Sequence, residues 1–381
     1  MQELISKLPH TGTNIFTIMS GLATEHNAIN LGQGFPDYPM DQHLVEWVNK
    51  AMKENYNQYV PMAGYTPLLN TLVQKIKNLY QQEYNPQKNI TITPGGTYAI
   101  YTALTAILHP GDEVIVFQPC YDSYIPNIII NGAKPVFIDM DYPGFTINWE
   151  KVKQSITNKT KAIIINSPHN PTGAILTKSD LLKLQEITAN TKIIVISDEV
   201  YEHITFDGEE HESVLKFPDL ANRSFACFSF GKVFNATGWK LGYAVAPEWL
   251  MNEFKKVHQY NAFSCNAPMQ VAIHNYLQNP ESYNTLSTIQ QQKRDYFTSL
   301  IQPSKFKLLP SKGSFFICAD YSSISNEDDI SFTQRLVKDK KIATIPLSVF
   351  YENKTDNKII RFCFAKTEST LKQAAEKILN I

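Results

Sequence analysis

From about residue 90 the chain alternates short apolar runs with longer stretches of helical period. The runs are Ile90–Thr93 (ITIT), Glu113–Phe117 (EVIVF), Pro135–Ile138 (PVFI), Ala162–Ile165 (AIII), Ile193–Ile196 (IIVI), Phe225–Ser229 (FACFS) and Tyr243–Ala246 (YAVA). Continuous rather than alternating hydrophobicity is what strands buried on both faces show. Between them lie helical stretches such as Thr97–Leu108 and Lys178–Ala189. The second opens on Thr177-x-x-Asp180, the spacing of a capping box. Strand and helix in alternation predict an α/β fold with a mainly parallel, seven-stranded sheet and one helix per crossover. After about residue 275 the pattern changes to a polar helix around Asn284–Leu300, the run LLPSKGSFFICADY, a helix near Ser331–Lys338, the run IIRFCFA and a closing helix. This predicts a smaller α+β domain. The first 45 residues, punctuated by Pro9, Gly12, Gly32, Gly34, Pro36 and Pro39, predict an arm and loop that wrap other elements. The expected division is 1–45 as the arm and part of the small domain, 46–275 as the large domain and 276–381 as the small domain.

Charge narrows the partners: 35 Lys+Arg face 36 Asp+Glu, so no broad field exists to hold phosphate backbones or an anionic membrane. Nucleic acid and membrane are therefore not expected as partners. No apolar stretch approaches the roughly 20 residues of a membrane span, and MQELISKLPHTGT lacks an apolar signal region. The cysteines, Cys120, Cys227, Cys265, Cys318 and Cys363, form no Cys-x-x-Cys pair and sit mostly in apolar runs, which fits a reducing cytoplasm. The nine histidines are scattered with no metal-ligand spacing, so no metal is expected; His169 and His203 flank the most polar part of the sequence.

In open parallel sheets, ligands bind beyond the carboxyl ends of the strands. The segments that follow the apolar runs are Gly95-Gly96-Thr97, Gln118–Tyr121, SPHNPTG (Ser167–Gly173), SDEVY (Ser197–Tyr201) and SFGKVFNATGWKLG (Ser229–Gly242). Each alone suits a turn, a helix cap or a solvated lysine. Together they answer one chemical problem. A pyridoxal phosphate site needs a lysine to condense with the cofactor aldehyde, an acid to keep the pyridine nitrogen protonated, donors for the ring oxygen and a phosphate cradle. Lys232, Asp198, Asn170 with Tyr201, and Gly96, Thr97, Ser229 and Lys240 supply these in turn.

The ordered motifs resemble the fold-type I, class I aminotransferases, in the branch that holds kynurenine aminotransferases, glutamine transaminase K and bacterial methionine aminotransferases. The resemblance runs almost end to end, through KLPHTGTNIFT, NLGQGFPDYP, NQYVPMAGY, SPHNPTG, ISDEVYEH, SFGKVFNATGWKLGYAVAP, KVHQYNAFS, IPLSVFY and IIRFCFAKTESTL. It implies that Lys232 holds the cofactor and shuttles the proton, that Asp198 pairs with the pyridinium nitrogen, and that Asn170 and Tyr201 bond the phenolic oxygen. Tyr121 would stack on the ring. Gly96, Thr97, Ser229 and Lys240 would hold the phosphate, with Tyr59 from a neighbouring subunit, so a homodimer with shared sites is implied. Arg361, Asn170 and the Gly34 backbone would take the substrate α-carboxylate. Ile15, Phe16, Tyr65, Phe316 and the partner copy's Phe263 would line the side-chain pocket. Cys120 and Asn235 stand where relatives carry other residues.

Arginine usage points to the substrate. The chain has only Arg223, Arg294, Arg335 and Arg361. With Arg361 committed to the α-carboxylate, none of the others is placed as the second fork that a dicarboxylic substrate requires. The expected reaction is transfer of the amino group of methionine and other bulky neutral or aromatic amino acids to a 2-oxo acid. Two alternatives are a carbon–sulfur β-lyase on the same fold and a non-catalytic cofactor-binding sensor. The sensor needs an attached DNA-binding module, for which the sequence offers neither spare N-terminal length nor a basic helix.

Overall fold

The computed structural model describes residues 5–9 and 11–381. His10 of KLPHTGTNIFT lies outside the described residues, as do residues 1–4 of the arm. Seven strands form the large sheet: β1 (Ile90–Thr93), β2 (Glu113–Gln118), β3 (Lys134–Asp139), β4 (Thr160–Asn166), β5 (Ile194–Asp198), β6 (Ser224–Ser229) and β7 (Gly242–Val245). Their order is β1-β7-β6-β5-β4-β2-β3. Only β7 runs antiparallel to its neighbours, because the chain returns to β6 directly after the Lys232 to Lys240 turn.

Burial explains the apolar runs. Along β4, Ile163 and Ile165 pack into one cluster with Ile115, Val195 and Phe228, while Ala162 and Ile164 pack into another with Val114, Ile196 and Phe225. Successive residues point to opposite faces, and helices cover both faces. The helix Gly96–Ile107 buries Ala99, Ile100, Ala103 and Leu104 on the second face, against Phe254 of the helix Glu248–Asn261. The Thr177/Asp180 capping box is present at the start of the helix Lys178–Thr188.

A second, antiparallel sheet has the order β10-β11-β9-β8, with β8 (Lys307–Leu308), β9 (Phe316–Asp320), β10 (Ile345–Pro346) and β11 (Ile359–Cys363). Phe297 and Ile301 of the helix Leu286–Ile301, and Leu371 and Ile378 of the helix Glu368–Ile378, share a core with Phe362 of β11. The helix expected near Ser331–Lys338 starts earlier, at Asp329, since Asp328 caps it by accepting from the Ser331 N–H, and it widens into a π turn over Leu336–Lys340. The arm is more ordered than its Pro and Gly content predicts. It carries a helix, Ile15–Glu25, capped by Asn14, and its Ile29–Asn30 pairs in parallel with Ile342–Ala343. Among the described residues no helix is long and apolar enough to cross a membrane.

Candidate active site

The carboxyl ends of β1, β4, β5 and β6 converge on a cavity of about 150 Å³. At one end the chain leaves β1 through Gly95, whose φ of 89° favours glycine, and enters the helix Gly96–Ile107 with no side chain capping it. The first N–H groups of that helix are thus available to an anion. A Cβ on Gly96 would lie 2.7 Å from Val200 Cγ1, so only glycine lets the two segments approach this closely. Lys240, also in the left-handed region at φ 51°, brings its Nζ beside Gly95.

Asp198 ends β5 at 4% exposure. The Tyr124 hydroxyl donates to its Oδ2 at 2.5 Å and the Val200 N–H to its Oδ1 at 3.3 Å. Burial pushes the carboxyl up to about 6, and these two bonds pull against that rise. Asn166, at the end of β4, donates to the Asp198 carbonyl at 2.8 Å and accepts from the Asn170 N–H at 2.8 Å, locking the two strand ends together. Lys232 sits in the single turn Phe230–Val233 after β6, with Nζ 5.6 Å from the Tyr201 ring centre and donating to the Gly34 carbonyl at 2.8 Å. Enclosure, with Arg361 and Lys240 nearby, pushes its ammonium down to about 8, so near neutrality the amine exchanges its proton readily.

Arg361, in β11, is fully buried. Its Nη1 donates to Asn170 Oδ1 at 2.7 Å and its Nη2 to the Gly32 carbonyl at 2.6 Å, whereas Nε has no partner among the described residues. Phe16, Phe316 and Phe350 surround the guanidinium, with its Cζ 5.2, 3.9 and 5.6 Å from their ring centres. A groove beside it, lined by Ile15, Tyr121, Asp122 and Phe350, leads outward. The remaining arginines are engaged elsewhere. Arg223 caps carbonyls of Thr188 and Thr191, Arg294 forks onto Asp207, and Arg335 pairs with Glu327.

Gly96, Thr97, Tyr121, Asn170, Asp198, Tyr201, Ser229, Lys232 and Lys240 all line the one cavity. Arg361, Gly34, Phe16 and Phe316 adjoin it through the contacts above. Three named residues are not brought there. Tyr59 is 82% exposed and packs edge-on against Phe263, itself 46% exposed. Tyr65, expected in the side-chain pocket, packs within this copy edge-on against Tyr56 and His274, and its N–H donates to Gln270. Within one copy of the chain these aromatic residues touch none of the cavity. Of the two departures, Cys120 is buried and pushed up to about 12 by that burial, and Asn235 donates to the Tyr38 carbonyl. His169 is buried, its ring bonded to Thr172 and pushed down to about 3 by burial.

Sequence reasoning missed Tyr124 and Asn166. Asn166, the polar end of the run AIIIN, was a visible signal; Tyr124, the first residue of the helix Tyr124–Ile130, carried none.

A mainly parallel sheet covered on both faces, with a lysine, an acid and a buried arginine gathered at one end, is the arrangement expected of the fold-type I aminotransferases. The chain belongs to the family "Aminotransferase class I and II", whose model matches residues 26–378. It is 43% identical over 374 residues to a methionine aminotransferase from Escherichia coli (strain K12), covering 98% of this chain and 97% of that one. Over 396 residues it is 34% identical to kynurenine–oxoglutarate transaminase 3 of Rattus norvegicus, covering 96% and 87% of the two chains. The crystal structure of an Escherichia coli protein identified as having a methionine aminotransferase function matches with a TM-score of 0.97 at 42% identity, over 100% of both chains.

Proposed function

We propose that this aminotransferase works with pyridoxal phosphate and moves the amino group of methionine and other bulky neutral or aromatic L-amino acids to a 2-oxo acid. The residues fit the cofactor that the family implies: uncapped helix N–H groups and Lys240 suit its phosphate, and the enclosed, readily deprotonated Lys232 suits its aldehyde. Gly96, Thr97, Ser229 and Lys240 would hold the phosphate, Tyr121 would cover the ring, Asn170 and Tyr201 would bond its oxygen, and Asp198 would pair with its nitrogen. When bound, pyridoxal phosphate supplies the electron sink for the charge left at the substrate α-carbon.

The chain does the rest. Arg361 and Asn170 orient the substrate through its carboxylate, and the Phe16, Phe316 and Phe350 rings exclude water around that contact. Lys232 Nζ takes the proton from the α-carbon, a transfer that suits an amine poised near 8. Tyr124 holds the Asp198 carboxylate in place. Tyr59 and Phe263, exposed on this chain, would complete the site of a second copy, making the active form a homodimer.

The observation that carries the substrate class is the buried Arg361, unpaired at Nε and ringed by phenylalanines, with the other three arginines engaged. A distal carboxylate placed among these rings loses its hydration without gaining a paired charge. Catalytic efficiency with methionine is expected to exceed that with aspartate by at least about a hundredfold, which corresponds to roughly 2.7 kcal/mol. Steady-state kinetics check this, and comparable efficiencies would refute the reading. Release of pyruvate and ammonia from a cysteine conjugate, in place of keto-acid transfer, would mark a β-lyase.

A further inference from the structure

Four successive carbonyls in the loop Gly32 to Phe35 are held by cationic side chains. Arg361 Nη2 donates to Gly32 O at 2.6 Å, Lys232 Nζ to Gly34 O at 2.8 Å, and Lys366 Nζ to both Phe35 O at 2.7 Å and Gln33 O at 3.4 Å. Lys366 is 3% exposed, and among the described residues it forms no ion pair; its Nζ lies 5.2 Å from the Phe35 ring centre. An ammonium buried with only carbonyls for company is costly unless its hydrogen bonds are well made. What these bonds fix are the Gln33–Gly34 and Phe35–Pro36 peptide planes, which bracket Gly34, a residue with wide backbone freedom.

Gly34 lies where orientation counts. A Cβ there would be 2.6 Å from Phe316 Cζ, and Phe316 is the ring closest to the Arg361 guanidinium. The loop is also tied to the C-terminal helix independently of Lys366: Asp37 accepts from the Thr367 N–H at 2.6 Å and from the Thr370 hydroxyl at 2.6 Å. Loss of the Lys366 donors therefore leaves the loop anchored while the Gln33 and Phe35 carbonyls lose the group that fixes their orientation.

We infer that Lys366 is a positioning residue for carboxylate recognition: gripping the carbonyls of Gln33 and Phe35, it holds the Gly34 peptide and, through Phe316 and Gly32, the Arg361 fork in their binding orientation. It governs affinity for the α-carboxylate rather than the rate of proton transfer. The inference rests on Arg361 being the carboxylate site.

The test compares Lys366→Met and Lys366→Arg with the wild type. The dissociation constant of 3-phenylpropanoate, a carboxylate without an amine to react, is measured by calorimetry on the holoenzyme and on cofactor-free protein, alongside KM and kcat for methionine. K366M is expected to raise both the dissociation constant and KM by about tenfold or more with kcat within about threefold, and K366R, which restores donors, to stay within about threefold of wild-type affinity. Wild-type affinity in K366M, a fall in kcat with KM unchanged, or K366R as impaired as K366M would each overturn the inference. If K366M does not fold, Lys366→Gln, with a single donor group, takes its place under the same criteria. Arg361→Lys separates the two levels: unchanged 3-phenylpropanoate affinity in R361K overturns the assignment of Arg361 itself.

Discussion

The segment from Asp198 to His203 feeds two buried charged centres that answer their charges differently. Behind the sheet, Glu202 takes Lys75 at 2.5 Å, Tyr80 at 2.8 Å and Tyr243 at 3.3 Å, and Glu199 takes His211 at 2.8 Å, Ser197 at 2.8 Å and the Val214 N–H at 3.1 Å. Burial alone pushes the Glu202 carboxyl up, yet Lys75 and His203 hold it well below the usual carboxylate range. On the other side, among the described residues, Lys232 and Arg361 have no carboxylate partner, and the Asp198 carboxyl is pushed up to about 6. A closed network of charges serves the fold, and an open one is where a charged ligand fits.

That contrast can be broken from both sides. The largest effect is expected for Lys232→Ala, which abolishes turnover but leaves the melting temperature close to that of the wild type; borohydride reduction followed by peptide mapping labels Lys232 in the parent, and labelling of Lys240 instead would contradict the assignment. Asp198→Asn is expected to slow α-proton removal by on the order of a hundredfold or more in single-turnover experiments while melting stays the same or rises, because a desolvated carboxylate has been removed. Glu202→Gln is expected to do the reverse. It strands the Lys75 ammonium and costs about 3–5 kcal/mol in denaturant unfolding, with kcat within about threefold. Since Glu202 is held below its unfolded value of 4.5, its contribution is complete above that pH and is lost as pH falls further; the acid side of a melting-temperature profile is therefore expected to flatten in E202Q. The smallest effect concerns Lys232. Its ammonium, pushed down to about 8, must lose a proton before it can attack an aldehyde, so cofactor uptake by the cofactor-free protein, followed by absorbance, is expected to rise about tenfold per pH unit below 8 and level off above it.

The large sheet was legible because both its faces are covered, so that each strand reads as an uninterrupted apolar run. The residues lining the cavity were legible for a related reason: most of them are the few polar residues directly after those runs. Pairings across long stretches of chain left no such trace. Tyr124 meets Asp198 from 74 residues away and Lys366 meets Phe35 from 331, and each looked like an ordinary residue of its own segment. The helix Ile15–Glu25 was hidden between Gly12 on one side and Gly32, Gly34 and Pro36 on the other, with Gly21 within it. Tyr65 left no trace of its surroundings either: its N–H meets Gln270 from 205 residues away, and a tyrosine beside a glycine turn says nothing about which way its ring faces.

The bond from Arg361 to the Gly32 carbonyl joins residues 329 positions apart. Every cavity-lining residue from Gly95 to Leu241 belongs to a continuous stretch of chain that leaves the ribosome before β11 is made. At about 5–20 residues per second, the nascent protein spends on the order of ten seconds with its anion cradle and lysine synthesised but its arginine still to come. On the proposed reading, the residues that would hold a phosphate are thus made before the arginine that would bind the substrate, and the contact of that arginine with Gly32 waits for two distant parts of the polypeptide to meet.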